Sequence, residues 1–279
     1  MFRRSLVVIV ALVLVGLCFL AGYSLLHFRS AKDVLTEARS LAERGEVLKA
    51  VQLLDMTERG AGMQKVPELK RQVWSLRMQC NMRIGNQARA LEDIERLIAD
   101  NDPDATLPLN RIYLLAATGQ GALARQRAVE YLAAHPDSAR GLELAGEACQ
   151  VDYQDRLTKA NEQLRTDLEY ELYEPSREAM LAYLYRPNGD SSVADALLEL
   201  RALYERSPAR RQAWIRMQDM LKDLRDRIQQ GLEYFQRALE LACVNPEERK
   251  QFYAAAFRGA SFALQQGGRR DSVVAQSNI

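Results

Sequence analysis

The residues of this 279-residue chain best suited to chemistry are two histidines, four cysteines and scattered carboxylates. His27 stands at the end of a long apolar run, and His135 precedes Pro136 between two apolar stretches. A zinc or general-base site needs imidazoles converging on one point, as H-E-x-x-H does within a helical turn. These two cannot do so locally, and no Cys/His cluster has metal spacing. The phosphate loop G-x-x-x-x-G-K-[ST], the dinucleotide turn G-x-G-x-x-G and the nucleophile elbow G-x-S-x-G are all missing from the sequence. Gly119-Gln120-Gly121 reads as a helix-ending turn. Cys80 or Cys149 acting as a nucleophile would need an imidazole at helical spacing, and neither has one. Asp93 with Glu95, and Glu169 with Glu171, lie two apart and so face different sides of a helix, which reads as solvated surface. The residues predict no enzyme, no metal and no cofactor.

The elements that would carry these residues are helical. Thirty-eight Lys and Arg balance 37 Asp and Glu, leaving a net charge of +1 that gives no general attraction to nucleic acid. The chain is 48% hydrophobic and 27% charged, a globular rather than disordered composition. Apolar residues recur at helical spacing between few glycines and prolines, and no alternating strand pattern stands out, so the class is all-α. Outside the first residues, Cys80, Cys149 and Cys243 fall in apolar helical patterns without C-x-x-C. Buried thiols are expected rather than a disulfide.

The N-terminal segment, residues 1–28, reads as a signal-anchor. From Leu6 to Leu26 there is no charge, while Arg3 and Arg4 precede the run and Arg29 and Lys32 follow it. At about 1.5 Å per residue this run reaches roughly 31 Å, a bilayer's hydrocarbon thickness. Residues 5–28 are therefore expected in the membrane. A cleaved signal is the alternative, but its apolar region is shorter, and Gly22-Tyr23-Ser24 is only a loose cleavage site. The short basic tail directs the remainder to the extracytoplasmic, periplasmic side. Arg29, Lys32, Arg39 and Arg44 count the other way, which keeps the cytoplasmic face as the alternative.

Glycines ending apolar stretches recur at Gly45, Gly85, Gly119, Gly189 and Gly267, and five residues later stand Ala50, Ala90, Ala124, Ala194 and Ser272. A small side chain at a fixed distance past a turn lets two paired helices approach closely. The stretch Ala105 to Ser138, with Gly119, Ala124, Ala128 and Pro136, resembles the tetratricopeptide repeat family, whose unit is about 34 residues. GLEYFQRALEL (231–241) resembles that family's second helix, and LELAGEAC (142–149) its first, with Gly146 at the small position. Trp74 falls at its Trp position. Repeats placed on these points begin near Ala31, Arg71, Ala105, Ala139, Pro175, Gln212 and Tyr253.

Departures mark two places. The repeat at Ala139 has Tyr153 and Thr158 where Gly and Ala are expected, followed by a polar helix over Asp155–Glu174 with a stripe of Leu157, Leu164, Leu168 and Leu172. The repeat at Gln212 carries Asp219 and Asp226 at family positions. Past a helix over Glu247–Gln266 the tail is short, so either it frays or another chain or a further segment covers that end.

The resemblance implies a right-handed α-solenoid of six to seven helix-turn-helix repeats over residues 31–279. It further implies a concave groove lined by first helices, in which Arg39, Gln79, Tyr113 and Glu147 occupy equivalent inward positions. Tyr113 serves there either as a binding anchor or as packing against the neighbouring repeat. The Lys/Asn carboxylate clamp of the chaperone-binding members is absent: Leu35, Arg39, Gln79, Thr106 and Asn110 stand in its places. Arg206, Arg210, Arg211 and Arg216 read as a solvated turn, because Pro208 interrupts them and Asp219 and Asp223 follow. The expectation is a non-enzymatic, membrane-anchored scaffold taking a protein or peptide partner within an envelope assembly for secretion or surface-polymer export. It takes neither nucleic acid nor a small-molecule substrate. A chaperone-like holder of translocated polypeptides, or an accessory subunit of a membrane enzyme, are the alternatives.

Overall fold

A computed structural model describes residues 31–58, 67–168, 170–185, 191–244, 256 and 258–262. Among these the protein is all-α, without a strand, and most helices pack on their sequence neighbours. The apolar run Leu6–Leu26 lies outside the described residues. Among those described, no helix is long and apolar enough to cross a membrane. The chain divides into two compact units, Met1–Pro103 and Asp104–Ile279.

The first unit holds α1 (Ala31–Glu43), α2 (Val47–Glu58), α3 (Pro67–Arg83) and α4 (Gln87–Ala99). The turns between paired helices are dictated by glycine. Gly45 and Gly85 take φ of 83° and 75°, the left-handed region that costs a Cβ-bearing residue about 1–2 kcal/mol. Each donates its N–H three residues back, to Ala42 or Met82, while the next residue donates five back, to Leu41 or Asn81. That pair of bonds satisfies the last carbonyls of the helix. The residue after the glycine then caps the following helix: the Glu46 carbonyl accepts from Ala50 N–H, and the Asn86 carbonyl from Ala90 N–H. Ala50 and Ala90 are fully buried there. The core runs through Leu35, Ala38, Leu54 and Val73, then Ala42, Ala50, Val51 and Cys80. At the end of α4, Asn101 substitutes for glycine at φ 53°, donating to Ile98 while Asp102 donates to Leu97.

The second unit repeats the device in α5 (Leu107–Ala117) and α6 (Gly121–Ala134), joined at Gly119 with φ 78°. Ala124 and Ala128 are fully buried. Ser138 then caps α7 (Ala139–Asp167), its hydroxyl accepting from Gly141 N–H at 3.1 Å.

From here the helix boundaries differ from the sequence expectation. No turn interrupts α7 at Tyr153 or Thr158: it runs unbroken for 29 residues, and Tyr153 is fully buried. The helix expected over Asp155–Glu174 is divided at Leu168, whose backbone is extended (φ −115°, ψ 142°). Its stripe still buries Leu157, Leu164 and Leu172. Pro175 does not begin a helix but lies inside α8 (Tyr170–Tyr185). Ala194, expected at a close contact, is exposed on α9 (Ser191–Tyr204). Nor does Pro208 break a helix. It is the first residue of α10 (Pro208–Val244), where its missing N–H costs nothing, and the Ser207 hydroxyl accepts from Arg210 N–H. That helix continues for 37 residues through Gln212 and Gly231. Gly189, Gly267 and Ser272 lie outside the described residues.

Helices α7 and α10 pair antiparallel along their length. Contacts descend in order: Arg237 with the Pro136 carbonyl, Gly146 with Phe235, Cys149 with Gln230, Asp152 with Arg227, Arg156 with Asp223, and Asp167 with Arg216. Close approach depends on glycine. A Cβ on Gly146 would meet the Phe235 ring at 2.7 Å, and one on Gly231 would meet the Phe262 ring at 2.7 Å. The segment 231–241, expected to pair with the segment at Gln212, packs on α7 instead. The intervening α8 and α9 interrupt that pair in sequence, and so the later repeat intervals do not hold.

Candidate functional site

The four residues expected in one row are divided between the units. Arg39 on α1 and Gln79 on α3 are exposed in the first unit. Tyr113 on α5 is half-buried and packs against Ile112, Ala128, Leu144 and Ala145 in the second. Glu147 on α7 is ion-paired with Arg258, which also reaches the fully buried Glu143 at 2.7 Å, while Arg140 approaches Glu143 at 2.6 Å. Burial pushes the Glu147 carboxyl above its usual range, with Arg258 opposing. Glu147 is therefore tied into an internal cluster.

Asp93, read from spacing as solvated, is 1% exposed and sits at the centre of an ionic network. Arg77, also buried, grips it with two bonds, Nε to Oδ2 at 2.9 Å and Nη2 to Oδ1 at 2.6 Å. The same guanidinium donates Nη1 to Asp55 at 2.9 Å and to Glu58 at 2.5 Å. Arg89 closes on Asp55 at 3.0 Å, Arg96 on Glu58 at 2.9 Å, and the Trp74 indole N–H donates to Glu58 at 3.0 Å. Burial works to raise the Glu58 carboxyl, but the Arg77 and Trp74 bonds outweigh it and hold the group below the usual glutamate range. For Asp93 burial prevails and pushes the carboxyl up. The polar cleft here, about 160 Å³, adds only Glu92 to its lining. Three arginines matched to three bound carboxylates make a staple between α2, α3 and α4, with neither a poised proton nor a nucleophile. The signal for it was Arg77 itself, a charge on a stripe otherwise made of Val73, Trp74, Met78 and Cys80.

Among the other described residues the cysteines are the strongest candidates for chemistry. Cys80 and Cys149 are buried free thiols, as their apolar patterns predicted. Burial pushes Cys80 up, and Cys149 up to about 12, so neither supplies a thiolate near neutrality. The side chain of Cys243 lies outside the described residues. Among the described residues no three His, Cys, Asp or Glu converge as metal ligands.

What the second unit does offer is two clefts flanking α9. On one side Pro175, Ala179, Ala182, Val193, Ala196, Leu200 and Leu203 line about 560 Å³ with Glu178 and Glu199 as the only charges. On the other, Tyr183, Ala194, Leu197, Leu198, Trp214 and Leu221 line about 340 Å³, with Gln218 and the cations Arg201 and Lys222. Between α8 and α9 the buried Ser176 hydroxyl lies 2.7 Å from the buried Tyr204 hydroxyl. Sequence reading missed these clefts because α9 was counted as one more repeat helix. Comparison with known protein families, curated proteins and solved structures finds no match to any of them.

Proposed function

We propose that the chain is a non-enzymatic protein-interaction scaffold of tetratricopeptide-like helix pairs, held at a membrane by its N-terminal apolar run. One observation carries the reading: three successive helix pairs close on a left-handed glycine and bury an alanine five residues later. Helix pairs of this kind offer faces for another polypeptide. The absence of charge from Leu6 to Leu26 supports the anchor, and the short basic tail before it supports an extracytoplasmic position for the helical units. An envelope assembly for secretion or surface-polymer export is the setting such an anchored scaffold suits, because tethering raises the effective concentration of membrane partners.

The test is recovery of the full chain from gently solubilised membranes through an affinity handle. One partner at one-to-one stoichiometry supports the scaffold. Many substoichiometric unfolded chains would replace it with a holder of translocated polypeptides. Recovery of the full chain from the soluble fraction with a new N-terminus near Leu25 would replace the anchor with a cleaved signal.

A further inference from the structure

The scaffold reading leaves open which surface holds a partner and what that partner looks like. We infer that the cleft between α9 and α10 docks a short amphipathic helix whose apolar stripe is flanked by carboxylates; this rests on the scaffold reading and assigns its site. The walls already have the geometry of a helix seat. Ala194, Leu197, Leu198 and Arg201 follow the i, i+3, i+4, i+7 stripe of α9, and Trp214, Gln218, Leu221 and Lys222 follow the matching stripe of α10. Two stripes of about two turns each, open above Tyr183, form a trough that fits a third helix packing ridge into groove. Leu198, a large apolar side chain, is 61% exposed on its rim.

Charge selects the occupant. Elsewhere in the chain Arg77, Arg125, Arg156, Arg227 and Arg258 each close on a carboxylate within the fold. Around this trough the pattern changes. Arg225 lies over the Tyr183 ring, 5.0 Å from its centroid, and donates to the Tyr183 hydroxyl at 2.8 Å rather than to an acid. Lys222 is exposed, and no carboxylate lines the trough. Arg201 is held by Glu205 at 3.0 Å, both side chains being 58% exposed. Asp219 and Asp226 stand on the same helix as Lys222 but do not line the trough. An incoming glutamate beside the apolar stripe would gain Lys222 and Arg225 together, whereas an incoming lysine would meet two like charges. The opposite cleft of α9, with Glu178 and Glu199, has the reverse preference, so the two sides of one helix are not interchangeable.

The experiment uses the full chain in nanodiscs, which keeps detergent out of an apolar trough. The probes are two fluorescein-labelled synthetic helices that share a leucine stripe, one flanked by glutamates and one by lysines, followed by anisotropy. The glutamate peptide is expected to bind about tenfold more tightly than its twin, the equivalent of one favourable contact. Leu198→Glu should weaken it at least as much, and Lys222→Glu should erase or invert the preference; both side chains are exposed, and helicity by circular dichroism serves as the control. Leu198→Ala provides a gentler second variant if the first loses helicity. Equal affinity for the two peptides, no binding of either, or an affinity unchanged by both Leu198 variants overturns the proposal. A native partner recovered one-to-one with L198E/K222E would remove this trough while leaving the scaffold reading in place.

Discussion

Arg77 shows how much one misplaced charge can organise. Its guanidinium is 6% exposed as a side chain and bonds three carboxylates from two other helices. Replacing it with Met leaves the 1%-exposed Asp93 without its bidentate partner, and loss of one member of a buried pair costs about 3–5 kcal/mol. Asp93→Leu does the converse damage. The double variant Arg77→Met/Asp93→Leu should lose less than the sum of the two, read from urea midpoints; strict additivity would mean the pair is not coupled. Glu58 gives the network a pH signature. Its folded pKa lies below the unfolded value of about 4.3, so its contribution is present above that pH and is lost as pH falls through the folded value. The stability gap between the parent and Glu58→Gln should therefore be full at neutral pH and close on acidification. Asp93 acts with the opposite sign, because burial raises its pKa and its ionised form is the disfavoured one. Little of this was legible beforehand. Asp93 and Arg77 are 16 positions apart, on different helices, and helical spacing reports only neighbours three or four apart.

At the level of elements, two kinds of glycine do different work. Gly119 has no atom within 4 Å of a hypothetical Cβ, so its requirement is conformational, set by φ of 78°. Gly146 has an ordinary helical backbone, but its Cβ would enter the Phe235 ring. Gly119→Ala should cost about 1–2 kcal/mol from the left-handed backbone, with Gly119→Asn costing less, as Asn101 already occupies that region. Gly146→Ala should cost about 1–3 kcal/mol by overpacking, and pairing it with Phe235→Leu should recover part of the loss. Thermal melts of the four variants decide it; an unaffected Gly146→Ala protein would mean that α7 and α10 do not close there. The glycine turns were legible because the signal is local, with glycine, cap and alanine inside six residues. The α7–α10 pair was not, since 231–241 advertises a small-residue face without saying what it meets. Tyr153 and Thr158, at places where the repeat wants Gly and Ala, were the clue that no turn forms there.

At the scale of the molecule, each compact unit carries its own core. The Leu35 and Ala42 clusters belong wholly to the first, while the clusters around Ile112 and around Tyr153, Met217 and Phe235 belong wholly to the second. The division falls just after the Asn101 turn that ends α4, so a cut there severs no helix. A fragment of residues 104–279 should therefore fold alone, with a cooperative melt. Cys149 supplies a sharper measurement than helicity, because helices persist in a collapsed state that has lost its packing. Its thiol is fully buried beside Gly231 and is shifted to about 12, so near pH 8 it should resist iodoacetamide in the folded fragment and react once guanidinium is added. Peptide mapping separates it from Cys243, the other cysteine in the fragment. Helical signal combined with rapid native labelling of Cys149 would show that the second unit depends on residues before Asp104. Protection equal to that in residues 29–279 would show that residues 104–279 are sufficient to seat Phe235 and Phe262 against Gly146 and Gly231.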